Sequence, residues 1–166
     1  MWEVYIVRHG IAVEPGTPKI PDDERPLTPK GEKRTRAIGD ALAELELPLK
    51  RIVTSPLPRA RQTAEILADR LGMSKKLEVE PILRAGTDAR EIADWLSRQP
   101  APPLMIVGHN PALDELLSLL LLGSPNALPF EFKKGAVAAV RRPSIAGARH
   151  SLLWAVQPGV LRKLAD

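Results

Sequence analysis

The feature that most constrains this chain is the stretch Val4-Tyr5-Ile6-Val7-Arg8-His9-Gly10, an apolar run that ends abruptly in a cation, an imidazole and a glycine. Its β-branched and aromatic residues have the character of a buried strand. A buried parallel strand carries its last residues to the carboxyl edge of a sheet, where open α/β folds bind ligands. The same pattern recurs. Arg51-Ile52-Val53-Thr54 leads into Ser55-Pro56, and Leu104-Met105-Ile106-Val107 leads into Gly108-His109-Asn110-Pro111. Strands that alternate with helical segments point to an α/β/α sandwich around a mostly parallel sheet.

The segments between these strands fit that frame. Ile11 to Pro26 has no apolar periodicity and reads as a loop at the rim of any site built on His9. Thr28-Pro29 starts a helix that runs to about Leu45 and buries Ile38, Ala41, Leu42 and Leu45. Ser55 and Pro56 mark a second helix start, with Ala60, Ala64, Leu67 and Leu71 facing the core. Leu77 to Glu80 reads as a strand, Pro81 to Asp88 as a loop and Ala89 to Ser97 as a helix. Asn110 as cap and Pro111 open a helix through Leu122. Gly135 to Arg141 and Ser151 to Gln157 read as strands, antiparallel neighbours or edges, before a terminal helix from Pro158 to Ala165.

Composition limits the function classes. With 166 residues, one domain spanning 1–166 is expected. There is no cysteine, which removes thiolate chemistry, disulfides and Cys-ligated metal. The histidines, His9, His109 and His150, are too far apart in sequence for a local zinc motif. No signal peptide is apparent and the longest apolar run, Leu116 to Leu122, is too short to span a bilayer, so a cytoplasmic protein without a membrane partner is expected. The net charge of +4 comes with only 4% aromatic residues, which disfavours a nucleic-acid partner.

If the strand ends lie along one edge, Arg8, His9, Arg59 and His109 converge. Arginine forks match phosphate oxygens, and the helix starts near Ser55 and Asn110 add free N–H groups. A neutral imidazole in such a pocket can attack phosphorus and form a phosphohistidine, with Arg8, Arg59 and His109 neutralising the equatorial oxygens. Side chains supply the cations, so neither metal nor other cofactor is called for. Ser55 is a cap or a phosphate contact, and Asn110 a cap or an N–H donor. Thr63, one turn after Arg59, orients it or simply packs. His150 carries no expected role.

Arg8-His9-Gly10, Ser55-Pro56-x-x-Arg59-Ala60-x-Gln62-Thr63 and Gly108-His109-Asn110-Pro111, in this order, resemble the histidine phosphatase (phosphoglycerate mutase-like) superfamily. Arg25-Pro26-Leu27-Thr28-x-x-Gly31 also fits, and the short length is most similar to the SixA-type phosphohistidine phosphatases. The resemblance implies His9 as the phosphorylated nucleophile, with Arg8, Arg59 and His109 holding the phosphoryl group. One departure stands out. Where mutases and many acid-assisted members have a glutamate in a Leu-x-Glu setting, this chain reads Leu83-Arg84-Ala85. A phosphate ester needs a proton donor for its alkoxide, whereas a phosphohistidine leaves as an imidazole with a pKa near neutral. Asp88, Glu14 and Asp22 are substitute donors to be weighed. The expected substrate is a phosphohistidine-bearing protein. A small phosphorylated metabolite is the rival, and a catalytically silent phospho-binding module is the alternative outside enzymes.

Overall fold

The computed structural model describes residues 2–100, 103–145 and 147–165. Six strands form one sheet: β1 (Glu3–Arg8), β2 (Arg51–Thr54), β3 (Leu77–Val79), β4 (Leu104–Gly108), β5 (Val137–Arg141) and β6 (Ser151–Val156). Their order is β3-β2-β4-β1-β5-β6. The four strands from β3 to β1 are parallel, while β5 runs antiparallel to β1 and β6 antiparallel to β5. The sheet is therefore mostly parallel, with an antiparallel extension ending in β6 at the edge.

Side-chain alternation along the strands explains the three layers. Val4 and Ile6 of β1, Val53 of β2 and Ile106 of β4 pack with α3 (Ala89–Ser97) and α4 (Ala112–Leu122) through Ile92, Leu96, Leu113 and Leu116. Tyr5, Val7, Ile52 and Met105 point the other way, against α1 (Pro29–Glu44), α2 (Pro58–Arg70) and α5 (Pro158–Leu164) through Ile38, Leu42, Leu67 and Leu161. Both faces of β1 and β4 are covered, which is why these strands are apolar without alternation.

Thr28 caps α1 as expected, its hydroxyl accepting from Gly31 N at 3.0 Å. Three local expectations are corrected. Leu45 lies beyond the end of α1 and is exposed, because the helix closes at Glu44 in a turn through Leu45 and Glu46. Ser55 does not cap α2. Leu57, the residue before Pro58, is held extended, so the helix begins only at Pro58, with Leu57 as its flanking residue. Asn110 does not cap α4, which starts after Pro111; its amide is engaged elsewhere.

Candidate active site

Strand register brings the polar clusters together. Arg8 lies level with Gly108, and Thr54 with Val107, so His9, Ser55 and His109 leave the same edge side by side. Backbone bonds fix them there: His9 N donates to Gly108 O and Ser55 N to Val107 O. The two imidazole rings stand 5.2 Å apart, centre to centre. They open onto a cleft of about 380 Å³ lined also by Arg8, Arg59, Asn110, Glu14, Asp22, Arg25, Ala85 and Lys134.

His9 is only 6% exposed. Its Nδ1 lies 2.7 Å from Gly10 O, and a carbonyl only accepts, so the ring proton sits on Nδ1 and the Nε2 lone pair is unprotonated. Burial, with His109, Arg59 and Arg8 adding repulsion, pushes the pKa of His9 down to about 3. His109 is likewise lowered to about 3, by burial and then by Arg59, Arg25 and Arg8. Its Nε2 lies 2.7 Å from Ser55 Oγ, which itself accepts from Leu57 N at 3.2 Å. A hydroxyl that accepts there is free to donate its own proton to His109 Nε2. That assignment leaves the His109 proton on Nδ1, an atom with no partner among the described residues.

Each arginine is anchored by a backbone carbonyl. Arg8 donates through one terminal nitrogen to Phe132 O at 2.6 Å. Asp114 steadies that segment by accepting from Phe132 N at 2.8 Å and from Asn110 Nδ2 at 3.0 Å. Asn110 Nδ2 also reaches Phe132 O at 3.1 Å. Arg59, 3% exposed, donates to Asp22 O at 2.8 Å, and its Nε, like Arg8 Nε, has no partner among the described residues. Two buried guanidinium N–H groups without acceptors, beside a similarly placed imidazole, suit a multivalent anion. Thr63 serves the site in a way that spacing alone did not reveal. Its hydroxyl donates to Arg59 O at 2.7 Å and accepts from Gly10 N at 2.9 Å, tying α2 to the turn after His9. Gln62 beside it accepts from Leu27 N at 2.7 Å.

Among the substitute acids, Asp88 is corrected: it is the N-cap of α3, accepting from Arg90 N at 2.7 Å, and does not line the cleft. Glu14 and Asp22 do line it, though Asp22 is bound to Arg25 Nε at 2.8 Å. Ala85 presents a methyl to the cleft in the stretch where the Leu-x-Glu setting would place a carboxylate. Arg25, Lys134, Asp114 and the Phe132 carbonyl went unassigned on sequence. Arg25 opens one of the quoted motifs and Asp114 is one turn from Asn110, whereas Lys134 carries no local signal.

The family model of the histidine phosphatase superfamily (branch 1) matches residues 4–85. An uncharacterized protein of Picosynechococcus sp. is 38% identical over 146 residues, 84% of either chain. The phosphohistidine phosphatase SixA of Escherichia coli is 28% identical, covering 83% of this chain and 84% of its own. The chain belongs to the histidine phosphatase superfamily. A solved structure of the protein histidine phosphatase SixA complexed with tungstate superposes with a TM-score of 0.82 at 26% identity, covering 96% of this chain and 99% of that one. A phosphoglycerate mutase from Bacillus anthracis shares the fold, with a TM-score of 0.75 at 16% identity and coverage of 99% and 97%. The protein is thus a SixA-like phosphatase with the phosphoglycerate mutase-like fold. No helix among its described residues is long and apolar enough to cross a membrane.

Proposed function

We propose that this phosphatase hydrolyses phosphohistidine on a protein partner through a phosphoryl group carried transiently on His9. The observation that carries the reading is the unprotonated Nε2 of the buried His9 on a cleft lined by cations, in which Ala85 replaces a carboxylate. In the first step the Nε2–P bond forms as the substrate P–N bond breaks. The electron pair goes to the departing ring, which leaves as neutral imidazole when its other nitrogen is protonated, so the enzyme need supply no proton. In the second step water attacks phosphorus, the P–Nε2 pair returns to His9, and inorganic phosphate departs with the water oxygen. Arg8, Arg59 and His109 bind the equatorial oxygens and stabilise their charge in both steps, with Ser55 orienting His109 and Asn110 contributing at the rim.

One observation favours a second reading. Glu14 lines the cleft with a carboxylate that makes no hydrogen bond among the described residues, and as a proton donor it would suit a small phosphomonoester. Phosphate release from phosphohistidine and from a phenyl phosphate ester, with chelator present, separates the two. Release from phosphohistidine that disappears in His9→Ala is expected. Equal or faster ester turnover would favour the phosphomonoesterase. Tight phosphate binding without turnover of either would leave a binding module.

A further inference from the structure

Beside the cleft lies a second concavity, in the groove between α1 and α5. It also measures about 380 Å³, and Lys30, Lys33, Arg34 and Arg162 line it over a floor that includes Ala37. Lys30, Arg34 and Ala37 follow one another at i, i+4 and i+7, one stripe of α1, with Lys33 beside them. None of these four cations forms an ion pair among the described residues, whereas Arg36, Arg61 and Arg70 on nearby helix faces are matched with Glu32, Glu65 and Asp40.

The groove is joined to the active site. Gly135 donates to the carbonyls of Arg8 and His9, and a Cβ there would meet Ile38 of α1 at 2.8 Å and Pro158 of α5 at 3.5 Å. The two residues before it are Lys133 and Lys134, and Lys134 lines the cleft. At its other end, α1 rests on the turn after His9, with Thr28 N donating to Ile11 O. Five cations thus line the two concavities, Lys134 in the cleft and Lys30, Lys33, Arg34 and Arg162 in the groove. Cations gathered on one concavity steer an anionic partner towards it.

We propose that the α1–α5 groove is the docking surface for an acidic segment of the phosphoprotein, which brings its phosphohistidine to His9. The proposal rests on the phosphohistidine reading above. A protein segment fits better than a nucleic acid, because the groove lining contains no aromatic side chain on which bases could stack. Its carboxylates would meet the lysines and arginines, while the aliphatic stems over Ala37 accept small apolar contacts.

The test uses two phosphohistidine peptides of about 15 residues, long enough to span up to about 50 Å. One has glutamates flanking the phosphohistidine and the other has glutamines. Wild type is expected to show a KM about tenfold lower for the glutamate peptide at low salt, a preference that fades by 0.5 M salt as screening shortens to about 4 Å. The double variant Lys33→Glu, Arg34→Glu should lose that preference through KM, with kcat unchanged. Turnover of free phosphoramidate and of the glutamine peptide should stay as in wild type, and Lys33→Arg, Arg34→Lys should restore the preference. Equal handling of both peptides by a wild type that hydrolyses phosphoramidate would overturn the docking surface and leave the phosphatase reading standing. Should phosphoramidate itself resist hydrolysis, fluorescence anisotropy of the unphosphorylated peptides still decides: glutamate-selective binding lost in the double variant supports the groove, and its absence overturns it. A single-stranded oligonucleotide that displaces the glutamate peptide with equal affinity would overturn it in favour of a general polyanion site.

Discussion

His9 and His109 owe their chemistry to burial rather than to any carboxylate partner. Desolvation disfavours the imidazolium, and the neighbouring arginines deepen the effect, holding both pKa values at about 3. In the ligand-free protein neither ring should take up a proton between pH 5 and pH 8, as read from ¹⁵N ring shifts by NMR. A midpoint near the ordinary histidine value of about 6.5 would show that burial does not govern the site. Bound phosphate should raise both values, since a dianion favours the charged rings. Ala85 is the second residue on which the proposed substrate preference turns. If leaving-group protonation limits ester cleavage, Ala85→Glu should increase the ratio of phenyl phosphate to phosphoramidate turnover, by up to about 10²-fold if its carboxyl reaches the ester oxygen. An unchanged ratio, in a variant that still hydrolyses phosphoramidate, would mean that protonation is not what separates the two substrates.

Among the elements, α1 and α2 do more than cover the sheet. Through Thr63 and Gln62, α2 grips the turn at Gly10 and the backbone at Leu27, while α1 presses its first turn against Ile11. That contact needs Gly31, where a Cβ would lie 2.0 Å from Ile11 O and 2.9 Å from its carbonyl carbon. Alanine ordinarily strengthens a helix by about 1 kcal/mol over glycine. Here Gly31→Ala should instead destabilise the protein by about 1–3 kcal/mol, because neither backbone can move without disturbing the His9 turn. Thermal unfolding and the Kd for inorganic phosphate check this together. A raised Tm with unchanged phosphate affinity would show that the loop yields freely.

For the whole molecule, two histidines buried neutral link folding to acidity. Their folded pKa values, about 3, lie below the unfolded value of about 6.5, so between those limits the unfolded chain binds more protons. Their contribution to stability is complete above about pH 6.5 and declines as the pH falls, by at most about 1.4 kcal/mol per pH unit for each ring. Urea midpoints measured from pH 7 to pH 5 should fall, and His109→Gln should flatten that slope whatever its effect on stability at pH 7. An unaltered slope would sink the linkage. At this scale the primary structure was legible where physics is local. Apolar runs named the inner strands, Thr28-Pro29 named the start of α1, and Arg8, His9, Arg59 and His109 were recognised as a set because each follows a strand or opens the helix behind one. It misplaced the starts of α2 and α4, since Ser55 and Asn110 carry capping side chains that tertiary partners, His109 for one and Asp114 with Phe132 for the other, claim instead. It gave no sign of Lys134, and no reason to pair α1 with α5. The chain's own sequence therefore determined which side chains are of the kind that can hold an anion or act as a nucleophile, because that is a property of side-chain type. Only the tertiary structure decided that Arg8 stands level with Gly108, that Asp88 caps α3 without lining the cleft and that four cations share one groove, because register and helix packing are set by contacts between residues far apart in the chain.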